Sequence, residues 1–512
     1  MNTATSFASN SWIIAAIGIL ALIAYRRLVT RGQRLPPGPR GWPVIGSALD
    51  IPKEFEWLTF QRWSREFGSD LLYYTSWGRP HVLINSSQIA SDLLEKRSTL
   101  YSDRPRMPML NELVGFDWDF AFMPYKDDWK DSRKAFTQHF RPTVVPKYRD
   151  IETKQSRQLI LDLLETPHEF DALARSFAGK IIIPIVYGID VQKKDDPYVA
   201  IAQKALYSMN MTGNVGTYLV DLIPALKYLP AWCLGAGFQR EAREWRKYAQ
   251  AMLERPTEAV KKAMKEGTAR PSMMISLLDS LSGNEDPRAE WIMSSAAATA
   301  YEGGSETIYS VVSSFVLAML MHPEVQRKAH DEMDRVLGGD RMPEFADQDS
   351  MPYLTAIYKE VLRYRPVLPL AIMRRVSADD TYRGYYIPRG ATVVVNSWAM
   401  LHDERVYPDP GSFRPERFLT DKGELDPDAP DPSPAFGFGR RVCPGMYMAA
   451  DSVWIACAMI LWAFNIEKPV DESGKVMDPS GGYTFGLVCY PAPFECIFKP
   501  RWDRMRDRMS RE

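Results

Sequence analysis

Phe436-Gly437-Phe438-Gly439-Arg440-Arg441-Val442-Cys443-Pro444-Gly445 sets a lone cysteine in a glycine-punctuated turn just before an apolar stretch. The run from about Gly445 to Phe464 predicts a helix. Its N-terminal dipole and free N–H groups would point back at Cys443 and favour thiolate over thiol. Gly439 and Gly445 allow backbone conformations and close approaches that a Cβ would block. Arg441 supplies a charge for an anionic group near the sulfur. The next cysteine, Cys457, is about four helical turns further on, a spacing that argues against a zinc or iron–sulfur cage. The structural alternative is an inert, buried cysteine ahead of a helix.

A single thiolate beside a large flat cofactor suits heme iron. The segment resembles the heme-binding signature of the cytochromes P-450, Phe-x-x-Gly-x-Arg-x-Cys-x-Gly, at every fixed position. The resemblance implies heme b (iron protoporphyrin IX) with Cys443 as its axial ligand.

Upstream, the longest helical pattern runs from about Glu290 to Met321 and stops before Pro323. At 1.5 Å per residue it would be about 45 Å long. It is apolar nearly all round, which predicts burial. Glu302-Gly303-Gly304-Ser305-Glu306-Thr307 interrupts it with two adjacent glycines, each costing about 1 kcal/mol against alanine in a helix. Sequences keep such a defect where something must approach the backbone closely. The alternative is a flexible break between two shorter helices.

This segment resembles the family's oxygen-activation motif, (Ala/Gly)-Gly-x-(Asp/Glu)-Thr, through Gly303, Gly304, Glu306 and Thr307. The resemblance implies a groove for dioxygen over the heme, with Thr307 and Glu306 as the catalytic residues that deliver protons. Such chemistry needs protons brought into a mostly dry cavity. Glu302 departs from the family, which usually has a small or apolar residue there. It is four residues from Glu306, so the two share a helix face, and two carboxylates bordering one cavity would repel. Glu302 is then a proton relay or a substrate contact, unless it points away and pairs with a base on a neighbouring helix.

Glu360-Val361-Leu362-Arg363 puts a carboxylate and a guanidinium on one helical face. Alone it would read as a solvated surface pair. Phe413-Arg414-Pro415-Glu416-Arg417-Phe418 and the Cys443 segment follow in the family's order. The resemblance therefore implies that Glu360, Arg363 and Arg417 form a buried triad supporting the heme face. Trp129-Lys130-Asp131-Ser132-Arg133 fits the family's Trp-x-x-x-Arg helix, and Trp129 and Arg133 would both reach a heme propionate. Arg441 and Arg374 are further candidates for the propionates. Lys126, Lys130, Lys134, Arg440 and Lys328 offer positive charge for docking an acidic reductase, or form a solvated set.

The chain has 512 residues, 46% hydrophobic and 25% charged, with a net charge of -1. Nothing in this balance points to nucleic acid. Five irregularly spaced cysteines argue against a disulfide framework and for a reducing compartment. No charged residue occurs from Phe7 to Tyr25, and Arg26, Arg27, Arg31, Arg34 and Arg40 follow. About 19 residues can just cross a bilayer as a helix, and the arginines favour a cytosolic C-terminal side. A cleaved signal peptide is the alternative, opposed by the missing basic n-region and by bulky arginines where small residues belong. Leu35-Pro36-Pro37-Gly38-Pro39 prevents the anchor from continuing as helix and is similar to the hinge of microsomal members of the family.

The expected architecture is mainly α with small β-sheets: a cytochrome P-450 fold with an N-terminal transmembrane helix. Residues 1–34 form the anchor and basic flank, 35–40 the hinge, and 41–512 the heme-thiolate monooxygenase domain. Strand patterns occur at 70–85 and 385–396, helical patterns between 86 and 364, and a Pro/Asp-rich meander at 403–434. Sequons at Asn85 and Asn210 would face the cytosol and stay unmodified.

The chain resembles monooxygenases of fungal secondary metabolism, similar to the O-methylsterigmatocystin oxidoreductase group. That implies insertion of one oxygen atom from O2 into a hydrophobic small molecule, terpenoid- or polyketide-like. Electrons would come from NADPH through a separate NADPH-cytochrome P-450 reductase, with cytochrome b5 as a second donor, at the endoplasmic reticulum membrane. The expected pocket segments are 107–122, 299–303, 367–372 and 484–487. Rival readings are a peroxide-using peroxygenase or isomerase, and a heme-binding sensor or electron-transfer module.

Overall fold

The computed structural model describes residues 33–503 except 215, 282–285 and 339–340, together with Met505 and Met509. The expected anchor, apart from its last two residues, lies outside the described residues. In chain order, the α-helices of twelve or more residues are α1 (Glu56–Phe67), α2 (Asp127–Phe140), α3 (Arg149–Glu165), α4 (Phe170–Tyr187), α5 (Pro197–Thr212), α6 (Gly237–Lys265), α7 (Pro287–Met321), α8 (Pro323–Leu337), α9 (Pro352–Tyr364) and α10 (Met446–Ala463). The strands are β1 (Leu71–Ser76), β2 (Arg79–Ile84), β3 (Arg374–Arg375), β4 (Asp380–Tyr382), β5 (Tyr385–Ile387), β6 (Thr392–Val395), β7 (Phe464–Glu467) and β8 (Ile497–Pro500).

The helix ends follow local chemistry. Asp286 accepts from the Arg288 N–H and Pro287 takes the first helical position of α7, a cap and a preset φ in one dipeptide. Asp196-Pro197 does the same for α5. α2 opens on Asp127 and Asp128, and its last residue gives way to extended backbone at Arg141, as the following Pro142 requires.

α7 runs unbroken through Gly303-Gly304, so the two-helix alternative falls. The two glycines do different things. A Cβ on Gly304 would stand 2.6 Å from Ile182 Cγ1, so this glycine lets α7 close on α4. A Cβ on Gly303 would meet nothing within 4 Å. α7 packs against α4, α2 and α10 and carries the core with them. Both α7 and α10 are long and apolar enough to cross a membrane, yet 78% of each one's most apolar window is buried inside the protein. They are core helices.

A four-stranded sheet has the order β1-β2-β6-β3. β1 and β2 form a hairpin whose two turn residues, Trp77 and Gly78, both have positive φ, the turn that matches strand twist. β2 pairs parallel with β6, joining the two ends of the domain across most of the helices. β3, β4, β7 and β8 were beyond the reach of the strand patterns, being two to four residues long.

The proline-rich hinge is stitched down. The Pro37 carbonyl accepts from the Tyr73 N–H at 2.9 Å, and the Arg34 carbonyl accepts from the Tyr386 N–H at 2.7 Å. A Cβ on Gly38 would fall 2.0 Å from the Tyr73 carbonyl oxygen. The two sequon asparagines are structural. Asn85 is buried and accepts from Asn396 Nδ2 at 2.8 Å. Asn210 accepts from the Val488 N–H at 2.8 Å.

Candidate active site

The Cys443 turn is held by its backbone. The Cys443 N–H donates to the Phe436 carbonyl at 2.9 Å. Gly437 and Gly439 have φ of 80° and 56°, the left-handed region that favours glycine. A Cβ on Gly439 would lie 2.0 Å from the Leu94 carbonyl oxygen. Gly445 differs from expectation. Its φ is −96° and a Cβ would meet only Phe136 Cζ at 4.0 Å, so the protein itself leaves room there. α10 begins at Met446, with its N-terminus facing the turn as expected.

The thiol does not behave as the dipole argument alone predicts. Burial pushes the Cys443 thiol up, while the Gly445 N–H and Arg133 pull it down and Glu302 adds to the rise. Burial is the larger effect, so the thiolate needs a further positive charge. A coordinated metal cation supplies one outright.

Cys443 lines a cavity with about 1710 Å³ free of protein atoms, open solvent included. α7 lines the same cavity through Thr299, Ala300, Glu302, Gly303, Gly304 and Thr307. The remaining lining is largely apolar and aromatic. All four expected pocket segments contribute, through Phe120, Ala300, Val367 and Leu487 among others, and Phe140, Ile182 and Met209 join them unforeseen.

Trp129, Arg133, Arg374 and Arg441 border the same cavity, as does Arg104, which the sequence reading missed. Each arginine is tied to main-chain carbonyls. Arg133 Nη2 donates to Val442 O at 2.7 Å, and Arg374 Nη2 to Phe438 O at 2.6 Å. Arg441 donates to the carbonyls of Ser102, Phe120 and Met123 at 2.7–3.0 Å. Arg104 donates to those of Ala121, Ile372 and Met373 at 2.6–2.7 Å. The Arg441 guanidinium also lies 4.3 Å from the Trp129 ring centre, a cation–π contact.

Burial lowers all four arginines, Arg374 to about 10 and Arg441 to about 9, and in Arg441 repulsion from Arg374 adds to it. None has an ion-pair partner among the described residues, and Arg374 Nη1 is buried without an acceptor. Arg374 is thus no solvated arginine. Four desolvated cations around one cavity, with an orphaned donor, call for an anionic group. The two propionates of heme fit that demand, and Cys443 fits its iron.

Thr307 Oγ1 donates to the Gly303 carbonyl at 2.6 Å and borders both the main cavity and a side cavity. Glu306 borders the side cavity but not the main one. Its carboxylate accepts from Arg175 Nη1 at 2.7 Å, and Arg175 is itself stacked 3.7 Å from the Tyr309 ring centre. Glu302 lines the main cavity and makes no ion pair with a base among the described residues, so the outward-pointing alternative falls. It also borders the side cavity together with Glu306, as their shared helix face implies. Burial first, and then Asp119, raise Glu302 well above the usual carboxylate range.

The charge cluster below the site is buried. Glu360 accepts from Arg363 Nε at 2.6 Å and Nη2 at 2.8 Å, from Arg417 Nε at 3.1 Å, and from the Arg414 N–H at 2.7 Å. The Glu360 and Arg363 side chains are 0% exposed and that of Arg417 is 5%. Of the basic set, Lys130 pairs with Asp127 and Lys328 with Glu416. Arg440 donates to the Tyr125 hydroxyl, while Lys126 and Lys134 are exposed.

A thiol turn and an unbroken but glycine-relieved helix lining one cavity define a heme-thiolate class of protein. The family model for Cytochrome P450 matches residues 36–498; the chain belongs to the cytochrome P450 family and is a monooxygenase, with heme as the family's cofactor. Cytochrome P450 monooxygenase 98 of Postia placenta is 42% identical over 498 residues, covering 96% of each chain. Tryptamine 4-monooxygenase of Psilocybe cyanescens is 41% identical over 485 residues, 94% of this chain and 96% of the relative. A cytochrome P450 monooxygenase of Armillaria gallica is 40% identical over 500 residues, 96% and 97% of the two chains.

Proposed function

We propose that this chain inserts one oxygen atom from O2 into a hydrophobic small molecule in fungal secondary metabolism, with NADPH electrons delivered by a separate reductase and cytochrome b5 as a second donor. The observation that supports the reading is that Cys443 and Gly303, Gly304 and Thr307 line one cavity. Terpenoid and polyketide skeletons suit the apolar lining, and the relative named for tryptamine extends the candidates to apolar amines.

Bound heme would supply the oxygen-activating and C–H-oxidising chemistry. The chain's own residues do the rest. Cys443 would hold the metal. Arg104, Arg133, Arg374, Arg441 and Trp129 would hold the propionates, the arginines' geometry being fixed by backbone carbonyls. Glu360, Arg363 and Arg417 brace the wall beneath. Glu306, held by Arg175, takes protons from the side cavity, and the Thr307 hydroxyl, on the border of both cavities, passes them inward. The apolar walls exclude water from the reacting centre.

Residues 1–34 anchor the chain in the endoplasmic reticulum membrane as a single span, with the domain facing the cytosol. Large apolar side chains exposed beyond the hinge, including Trp42, Tyr228, Trp232 and Leu234, are consistent with a lipid surface nearby. The exposed Lys126 and Lys134 are available to an acidic reductase. Microsomes carrying this chain and a reductase, fed candidate intermediates, are expected to yield NADPH-dependent products heavier by one oxygen. Turnover on peroxide alone, without NADPH, would favour the peroxygenase reading instead.

A further inference from the structure

Glu302 lines the cavity, and Asp119 is bonded to α7 one helical turn before it. Asp119 and Glu302 come from different parts of the chain, and α7 joins them. Thr299 Oγ1 donates to Asp119 Oδ1 at 3.2 Å, and Glu302 follows Thr299 by three residues, on the same helical face. Ser295 Oγ, a turn earlier, donates to the Trp118 carbonyl at 2.5 Å. The segment bearing Asp119 is therefore fastened to α7 at two successive turns.

The arrangement is incomplete within the protein. Asp119 is 0% exposed, its Oδ1 accepts from the Ala121 N–H and from Thr299, and its Oδ2 has no donor. Glu302 faces the cavity without a hydrogen bond or ion pair among the described residues. The cations of the neighbourhood are committed elsewhere. Arg175 holds Glu306, and Arg104 and Arg441 are tied to carbonyls, reaching Asp119 only through their field. A buried acceptor without a donor is costly.

We infer that Glu302, backed by Asp119, is an ammonium-binding subsite that selects substrates with an apolar body and a protonated amine. This rests on the monooxygenase reading and adds a polar requirement to it. The amine would donate to Glu302 and neutralise the paired carboxyls, while the apolar skeleton lies along the Phe120, Ile372 and Leu487 walls. The amine's charge would favour the ionised form of Glu302, which burial and Asp119 otherwise oppose. Glu302 is then a specificity residue.

The test uses the full chain with its heme and three probes of matched shape: phenylbutylamine, phenylbutanol and pentylbenzene. Equilibrium dialysis reads affinity independently of turnover. The wild type is expected to hold the amine about tenfold or more tighter than either neutral probe. Glu302→Gln, which keeps hydrogen bonding and loses charge, is expected to abolish that preference and leave phenylbutanol unchanged. Asp119→Asn is expected to reduce it less. Equal affinity of the wild type for all three probes, or an undiminished amine preference in Glu302→Gln, overturns the inference, and the wild-type series decides even if a variant does not fold. A preference for phenylbutanol would assign a hydroxyl and likewise overturn it. The reduced carbon monoxide spectrum of each preparation reports the heme-thiolate reading separately.

Discussion

On the Cys443 wall of the cavity the cationic side chains bind main-chain carbonyls and the turn is locked by left-handed glycines. On the α7 wall Glu302 has no ionic partner among the described residues, Glu306 is held by Arg175, and Thr307 bonds its own helix. One wall is built on main-chain carbonyls and glycine turns, the other on side chains presented by a single helix. The first can do one thing, hold a particular cofactor. The second can change its chemistry by a single substitution while the helix stays intact.

If that contrast is right, damage to the Cys443 side should cost the fold, and damage to α7 should cost the reaction. The largest effect is expected for Arg363→Ala. It leaves Glu360 buried with half its partners, a loss of about 3–5 kcal/mol, to be read in a denaturant titration together with heme content. A stable, heme-loaded variant would show that the cluster is dispensable. Gly439→Ala comes next. A Cβ at φ 56° and 2.0 Å from the Leu94 carbonyl should cost at least about 2 kcal/mol and lower heme retention during gel filtration.

On α7, Thr307→Ala and Gly303→Ala should leave stability near that of the wild type. Thr307→Ala removes one hydroxyl and is expected to uncouple the enzyme, with NADPH consumed and peroxide released; an unchanged ratio of product to NADPH would reduce Thr307 to a helix residue. The smallest expected effect separates the two glycines. Gly304→Ala pushes a methyl into Ile182 and should destabilise by about 1–3 kcal/mol. Gly303→Ala meets nothing in the protein and gains helix propensity, so its melting temperature should hold or rise slightly. Equal destabilisation by both would erase the distinction drawn between them.

The same contrast explains what the sequence made legible. Cys443, α7, α10 and the Glu360–Arg363–Arg417 cluster are written in local spacing, and their elements lie within a few residues of the expected bounds. Arg104 carries no spacing signal, since its role comes from carbonyls at residues 372 and 373. The pairing of Glu306 with Arg175 spans well over a hundred residues, out of reach of helical periodicity. Gly439 excludes a Cβ as expected, through the Leu94 carbonyl, a contact that no spacing in the sequence shows. Long-range tertiary contacts, invisible to periodicity, decided each of these.

The central claim is that Cys443 presents a thiolate to heme iron in this cavity. The carbon monoxide difference spectrum of the dithionite-reduced protein tests it most directly, measured on the wild type and on Cys443→Ala. The wild type should show the strongly red-shifted Soret band of thiolate ligation, and the variant should lack it and support no NADPH-dependent monooxygenation. A folded, heme-loaded wild type without the red shift, or a variant that retains it, would contradict the account.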